Sequence, residues 1–223
     1  MERFLGLDSP IMRALSMVAD LVILNLLWLI CCIPVVTIGA STTAMYTVAL
    51  KLAKGQDGYV FKRFMKAFKL NFKQATIIHL IVCAFAAILG LDYYIYKNGG
   101  LIPKPMLILI TAVGIAGIIF ASWVYPILAQ FDNSIKNTIK NAFAMAIVHF
   151  PVTIVIVVLN LVSPAIFLFF TGFFVRWMIL WILAGGSAIA YLNAFALNMC
   201  FKRYIPKEIL EKEKEDAVDF DVN

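Results

Sequence analysis

The sequence predicts an all-α protein that crosses a membrane several times, as a polytopic helical bundle. Three observations predict it. Hydrophobic residues fill 63% of the 223 positions and charged residues only 14%, about half the share that a water-facing domain carries. Mean hydropathy is +0.92. The apolar residues are also gathered in runs close to the ~20 positions a helix needs to cross the hydrocarbon core. The exterior of such a chain faces lipid, so membrane lipids are its first partners.

The first run, Ala14 to Ile33, ends at Pro34. The preceding segment, MERFLGLDSPIMR, has neither the basic cluster nor the small-residue cleavage pattern of a signal peptide, so this run is expected to remain as a membrane helix. The second, Val35 to Leu52, is rich in small and hydroxyl residues (TIGASTTA) and reaches only ~27 Å as a helix. If it is re-entrant, five spans remain and the N-terminus lies outside. The third run is Ala75 to Tyr96, followed by the turn KNGGLIPKP; the fourth is Met106 to Ala129. The fifth, Ala142 to Phe170, is interrupted by Pro151 and Pro164, and the sixth, Phe173 to Cys200, contains Gly185 and Gly186. Six spans are the preferred count. One membrane domain is expected over 1–200, then a charged tail over 201–223 with a short helix from Lys207 to about Glu215.

Lysine and arginine orient the bundle. With both termini, the 53–74 segment and the 130–141 loop in the cytoplasm, only Lys97, Lys104 and Arg176 of the 19 basic residues fall outside. That asymmetry obeys the positive-inside rule for a plasma-membrane protein. The net charge of +6 therefore fits a membrane surface, and no nucleic-acid partner is expected.

The segment GYVFKRFMKAFKLNFKQA sits on that cytoplasmic face. Phe61, Phe64, Met65, Phe68 and Phe72 fall within an arc about 100° wide on a helix, and Lys62, Lys66, Lys69 and Lys73 gather on the adjoining arc. Such a helix suits a groove on a partner protein. A helix lying on lipid or packed on its own chain is the plainer alternative. The 130–141 loop repeats the device: a shift of 67 residues sets Phe64, Lys69, Lys73 and Ala75 on Phe131, Lys136, Lys140 and Ala142. A parallel internal repeat would explain this. There Ile135, Ile139 and Phe143 form an apolar stripe opposite Lys136 and Lys140, and Asp132, Asn133 or Ser134 caps the helix. Phe131, Ile135, Lys136, Ile139 and Lys140 are the expected contact residues.

No catalytic motif is present: GxxxxGK[ST], HExxH, GxSxG and CxxC are all missing. No catalytic residue, metal or cofactor is expected, and the protein reads as non-enzymatic. The four cysteines lie in apolar runs, and adjacent Cys31 and Cys32 suit neither a disulfide nor zinc. Intramembrane polar residues are costly and each is a functional candidate: Asp20, Asn25, Thr37, Thr42, His79, His149, Asn160, Asn193 and Asn198. Asp20, His79 and His149 could share a proton or metal site, though packing histidines are the commoner case. For the asparagines, hydrogen bonding between helices is the commoner role. Asp92 and Arg176 are expected to pair if the third and sixth spans are neighbours. Gly39–Ala40–Ser41 and Gly185–Gly186–Ser187 permit close helix approach. Trp123, Tyr125, Trp177 and Trp181 read as interface anchors.

The runs Asn25 to Ala75 and Tyr125 to Pro151 resemble the YesL-like family of bacterial integral membrane proteins. Asn25 and Trp28 match an Asn-x-x-Trp pattern. Pro34, Thr37, Gly39, Ala40 and Thr42 match Pro-x-x-Thr-x-Gly followed by Ala and Thr. The Phe/Lys segment from Phe61 and the P-x-L-A-x-F loop from Pro126 match as well. The family is one of unknown function. Its members occur largely in Gram-positive bacteria, often encoded beside carbohydrate ABC importers and sensor kinases. The resemblance therefore implies an accessory component of sugar uptake, touching ABC permease or ATPase subunits through its cytoplasmic helices, although the permease EAA loop is missing here. A small-solute transporter, or a membrane regulator of a sugar-sensing kinase, are the alternatives.

Overall fold

The computed structural model describes residues 10–56, 58–99, 103–169 and 171–206, with Pro10, Lys104 and 162–177 described by backbone alone. The expected tail helix, Phe170 and the side chain of Arg176 lie outside the described residues, and with them the Asp92–Arg176 pairing. Seven α-helices make up the fold among the described residues: α1 (Pro10–Cys32), α2 (Ile38–Leu52), α3 (Val60–Lys97), α4 (Lys104–Gln130), α5 (Ile135–Val148), α6 (Phe150–Phe169) and α7 (Thr171–Phe201). A single 3-10 turn, Val35–Thr37, joins α1 to α2. By length and composition α1, α2 with its 3-10 turn, α3, α4 and α7 are each long and apolar enough to cross a membrane, and the bent pair α5–α6 brings the number to six if it is one span. The molecule is a multi-pass, all-α membrane protein.

The α1–α2 corner follows from Pro34, which cannot continue a helix and stands in extended backbone (ψ 121°). The last carbonyls of a helix lack partners. The Thr37 hydroxyl lies 2.6 Å from the Cys31 carbonyl and 2.7 Å from that of Pro34, so its one proton serves the corner.

Helix α2, the shortest and least apolar candidate span, is the hub. Eleven of its 15 residues are buried, and α1, α3, α4 and α7 all pack on it. Small side chains make this possible. A Cβ on Gly39 would stand 2.6 Å from the Ala75 carbonyl oxygen and 2.6 Å from His79 Cβ, so only glycine lets α2 sit this close to α3. The C-terminal end of α2 is closed by a Schellman motif. Gln56 N–H donates to the Lys51 carbonyl and Gly55 N–H to that of Leu52, with Gly55 at φ +71°.

The Phe/Lys segment is not a separate short helix, which corrects the sequence expectation. It forms the first turns of α3, a single 38-residue rod of ~57 Å, nearly twice the ~30 Å hydrocarbon core. The chain from Val60 to Leu89 contains neither proline nor glycine, and a change from lysine-rich to apolar composition does not interrupt a backbone. Leu52 and Val60 flank the connecting turn while Gly39 meets Ala75 and His79. Helix α2 thus runs antiparallel to the lysine-bearing half of α3.

The fifth span also needs correcting. Helices α5 and α6 meet at 103°, so residues 142–148 belong to a cross-lying helix and are not continuous with α6, which begins at Phe150. Pro151 explains the break: it lacks an N–H, and its ring would clash with the Ile147 carbonyl of a continuous helix. In the first turn of α6 the same residue costs nothing. Thr153 secures the bend. Its hydroxyl lies 2.9 Å from the Ala146 carbonyl and accepts from Trp123 Nε1 at 2.9 Å. Pro164 does not interrupt α6, which runs on to Phe169.

The two halves of the supposed repeat take different backbones. Phe64–Ala67 are helical, whereas their counterparts Phe131–Ser134 form the irregular link before α5. Ser134 is the residue that caps α5, its Oγ accepting from Asn137 N–H at 3.4 Å.

Gly39→Val should lower stability by about 1–3 kcal/mol, the usual cost of forcing atoms into a packed contact. Gly90→Ala, in open space on α3, should be neutral or slightly stabilising. Thermal unfolding of both variants in one detergent tests this.

Candidate functional site

Helices in lipid gain little from hydrophobic burial against each other and associate through close packing and hydrogen bonds. The α1–α7 contact uses both. Asn25 is fully buried; its Nδ2 donates to the Ile182 carbonyl at 2.5 Å and its Oδ1 accepts from Ser187 N–H at 2.9 Å. Ser187 Oγ donates to the Leu21 carbonyl at 2.7 Å. A Cβ on Gly186 would stand 2.9 Å from the Trp28 ring and 3.0 Å from Asn25 Oδ1. Trp28 Nε1 in turn donates to Thr42 Oγ1 at 3.2 Å, and Ser41 Oγ donates to the Trp28 carbonyl. The motif residues Asn25, Trp28, Pro34, Thr37, Gly39, Ala40 and Thr42 thus form one corner and its fastenings, with Ala40 buried beside Gly39.

Beside that corner the helices leave a cleft of about 630 Å³ between α1, α2, α4, α6 and α7. Trp28, Tyr46, Tyr125 and Trp181 supply aromatic surface, while Thr42, Ser122 and Asn160 supply uncharged polar groups. On one wall Asn193 Nδ2 lies 3.3 Å from Tyr46 OH and 3.0 Å from Asn160 Oδ1. Asn198 Nδ2 donates to the Leu50 carbonyl one turn further, so α2 and α7 run parallel. Sequence reasoning took Tyr125 and Trp181 for interface anchors and overlooked Tyr46 and Ser122. Only the spacing of Thr42 and Tyr46, one helical turn apart, could have hinted at a shared face.

The histidines are engaged separately. His79 Nδ1 lies 2.8 Å from Tyr125 OH, and its Nε2 lies 3.3 Å from Cys83 Sγ. His149 Nε2 lies 3.2 Å from Tyr204 OH, and its ring stacks near Trp123. Among the described residues no group of three His, Cys, Asp or Glu could hold a metal ion, so Asp20, His79 and His149 do not assemble the shared metal site raised above. The cysteines are free thiols; Cys200 is buried and the other three are half-buried.

The partner-contact residues divide by face. Phe64 is fully buried, and Phe68, half-buried, packs against the core. Phe61 and Phe72 remain 59% and 40% exposed. Phe131 and Ile135 pack on the core, Phe131 edge-on to Phe201, and Ile139 is half-buried. Lys62, Lys66, Lys69, Lys73, Lys136 and Lys140 are all exposed. Gln74 Nε2 donates to the Asn133 carbonyl at 2.6 Å, which draws the start of α5 against α3. The C-terminal ends of α2 and α7 lie at the same end of the bundle as the N-terminal end of α3, so Lys51, Lys202 and Arg203 join the α3 lysines there. Lys97 and Lys104 flank the α3–α4 turn at the other end.

Fold and site together define a polytopic helical membrane protein with one strongly basic end. Residues 21–93 match the family described as "Protein of unknown function, DUF624". The chain is also 29% identical over 167 residues to a Bacillus subtilis (strain 168) protein named "Uncharacterized protein YesL", covering 70% of this chain and 78% of that relative. No solved structure matches. The chain is therefore similar to YesL over most of its length, in keeping with the resemblance that its motifs carry.

Asn25→Leu keeps the volume and removes the α1–α7 bonds, leaving the Ile182 carbonyl and Ser187 N–H without Asn25. A loss of about 1–3 kcal/mol is expected, measured as a lower unfolding midpoint in detergent. Asn98→Leu, at an exposed turn, should change it little.

Proposed function

We propose that this chain is a non-enzymatic accessory component of a carbohydrate ABC import system in the plasma membrane. Its basic end faces the cytoplasm and docks on an acidic surface of a permease or ATPase subunit. One observation carries the reading: the half of α3 that packs on α2 buries Phe64 and turns Lys62, Lys66, Lys69 and Lys73 outward. The contact surface is therefore chiefly the lysine row, edged by Phe61 and Phe72, rather than the aromatic ridge. A row of exposed ammonium groups on a rigid helix steers an acidic partner and fixes its register. It also satisfies the positive-inside rule, with the C-terminal end of α7 and its Lys202 and Arg203 on the same side. The carbohydrate system itself comes from the YesL-like resemblance.

The test is affinity purification from a native host in mild detergent, with recovered subunits identified by mass spectrometry. Permease or ATPase subunits should co-purify, and should be lost when Lys62, Lys66, Lys69 and Lys73 are all changed to Glu. Phe72→Ala should retain most of the complex. Because the contact is between exposed charges, raising salt well above physiological strength should weaken it. Recovery of neither subunit, together with normal sugar uptake in a deletion strain, would contradict the proposal.

A further inference from the structure

We propose that the cleft between α1, α2, α4, α6 and α7 is a binding site for one neutral membrane lipid, a hydrocarbon chain with an uncharged, hydroxyl-bearing head such as a monoacylglycerol. This site is separate from the basic docking end and does not rest on the reading above.

The volume, about 630 Å³, lies within the ~300–1,000 Å³ typical of small-molecule sites. Its wall is mostly apolar, and no charged side chain is among those described along it. A phosphate or carboxylate there would be desolvated without a counter-charge, at a cost no uncharged ligand incurs. The mouth points the same way. Ile118 lines the cleft and is 45% exposed, on the same stretch of α4 as exposed Val113 and Ile115. The cleft is thus reached from the apolar flank of the bundle, where the surrounding solvent is lipid.

One wall suits a hydroxylated head. Tyr46 and Asn160 line the cleft, and Asn193, fully buried behind them, donates to both, to Tyr46 OH and to Asn160 Oδ1. Each of these two oxygens has a further lone pair to accept from a hydroxyl. Opposite, Ser122 Oγ gives its proton to the Ile118 carbonyl and retains acceptor capacity. The rings of Trp28, Tyr125 and Trp181 offer flat apolar surface for the chain.

Two of these rings are tryptophans, so the site reports on itself. The full-length chain, in phosphatidylcholine nanodiscs, is titrated with monooleoylglycerol brominated on its acyl chain, and tryptophan fluorescence is followed. Quenching should contain a saturable component that unbrominated monooleoylglycerol relieves and oleoyl lysophosphatidic acid, its charged counterpart, does not. Ala121→Phe, which fills the cleft, should weaken that component by about tenfold or more. Quenching that merely rises in proportion to the brominated lipid would overturn the proposal. So would equal displacement by the charged lipid. Should Ala121→Phe fail to fold, the two competitions in the unaltered chain decide the matter.

Discussion

Everything in this fold hangs on the contact between Gly39 and α3. With no side chain at Gly39, the start of α2 reaches the Ala75 carbonyl and His79, and the two helices lie against each other along the lysine-bearing half of α3. That contact turns a short, weakly apolar segment into the most buried helix of the bundle. It also decides the fate of the phenylalanine ridge. Once α2 occupies that side, Phe64 and Ala67 are interior, and the lysines on the neighbouring arc are displayed.

Polar groups complete what small residues begin. In lipid an unmet amide or hydroxyl is expensive, so a side chain that bridges two helices fixes both position and register. Asn25 does this between α1 and α7, Trp28 and Thr42 between α1 and α2, Asn193 among α2, α6 and α7, and Thr153 at the α5–α6 bend. Of the side chains in these bonds, Trp28, Thr42, Tyr46 and Asn160 also line the cleft. The cleft and the basic end are consequently products of one packing arrangement.

Much of this could be read in the residues. Composition alone gives an all-α membrane protein, and Pro34 marks the first corner. The boundaries of α1, α4 and α7 follow their apolar runs within a few residues. The small-residue run of α2 was legible as a place of close approach, though its brevity suggested a marginal span; smallness is what lets it serve as the hub. The shift from lysines to apolar residues near Ala75 suggested a joint, but a change of solvent leaves hydrogen bonding along a helix intact. The bend at His149 was displaced in the reading because apolar residues continue through it, and only the ring of Pro151 records it. The cleft was not legible, since its walls come from positions as far apart as Trp28 and Ala190 and depend on how helices cross.

A cysteine scan along α3, in a chain lacking its four natural cysteines, tests this account most directly. Membrane-impermeant maleimide would be applied to intact cells and to inverted vesicles. Positions 62, 66, 69 and 73 should label only from the cytoplasmic side, positions 64 and 67 should resist labelling, the stretch from 77 to 91 should be silent, and position 98 should react only from outside. Uniform labelling from 61 to 73 would show that α2 does not clasp this half of α3. Labelling of position 66 from the exterior would invert the molecule and remove the basis for a cytoplasmic docking face.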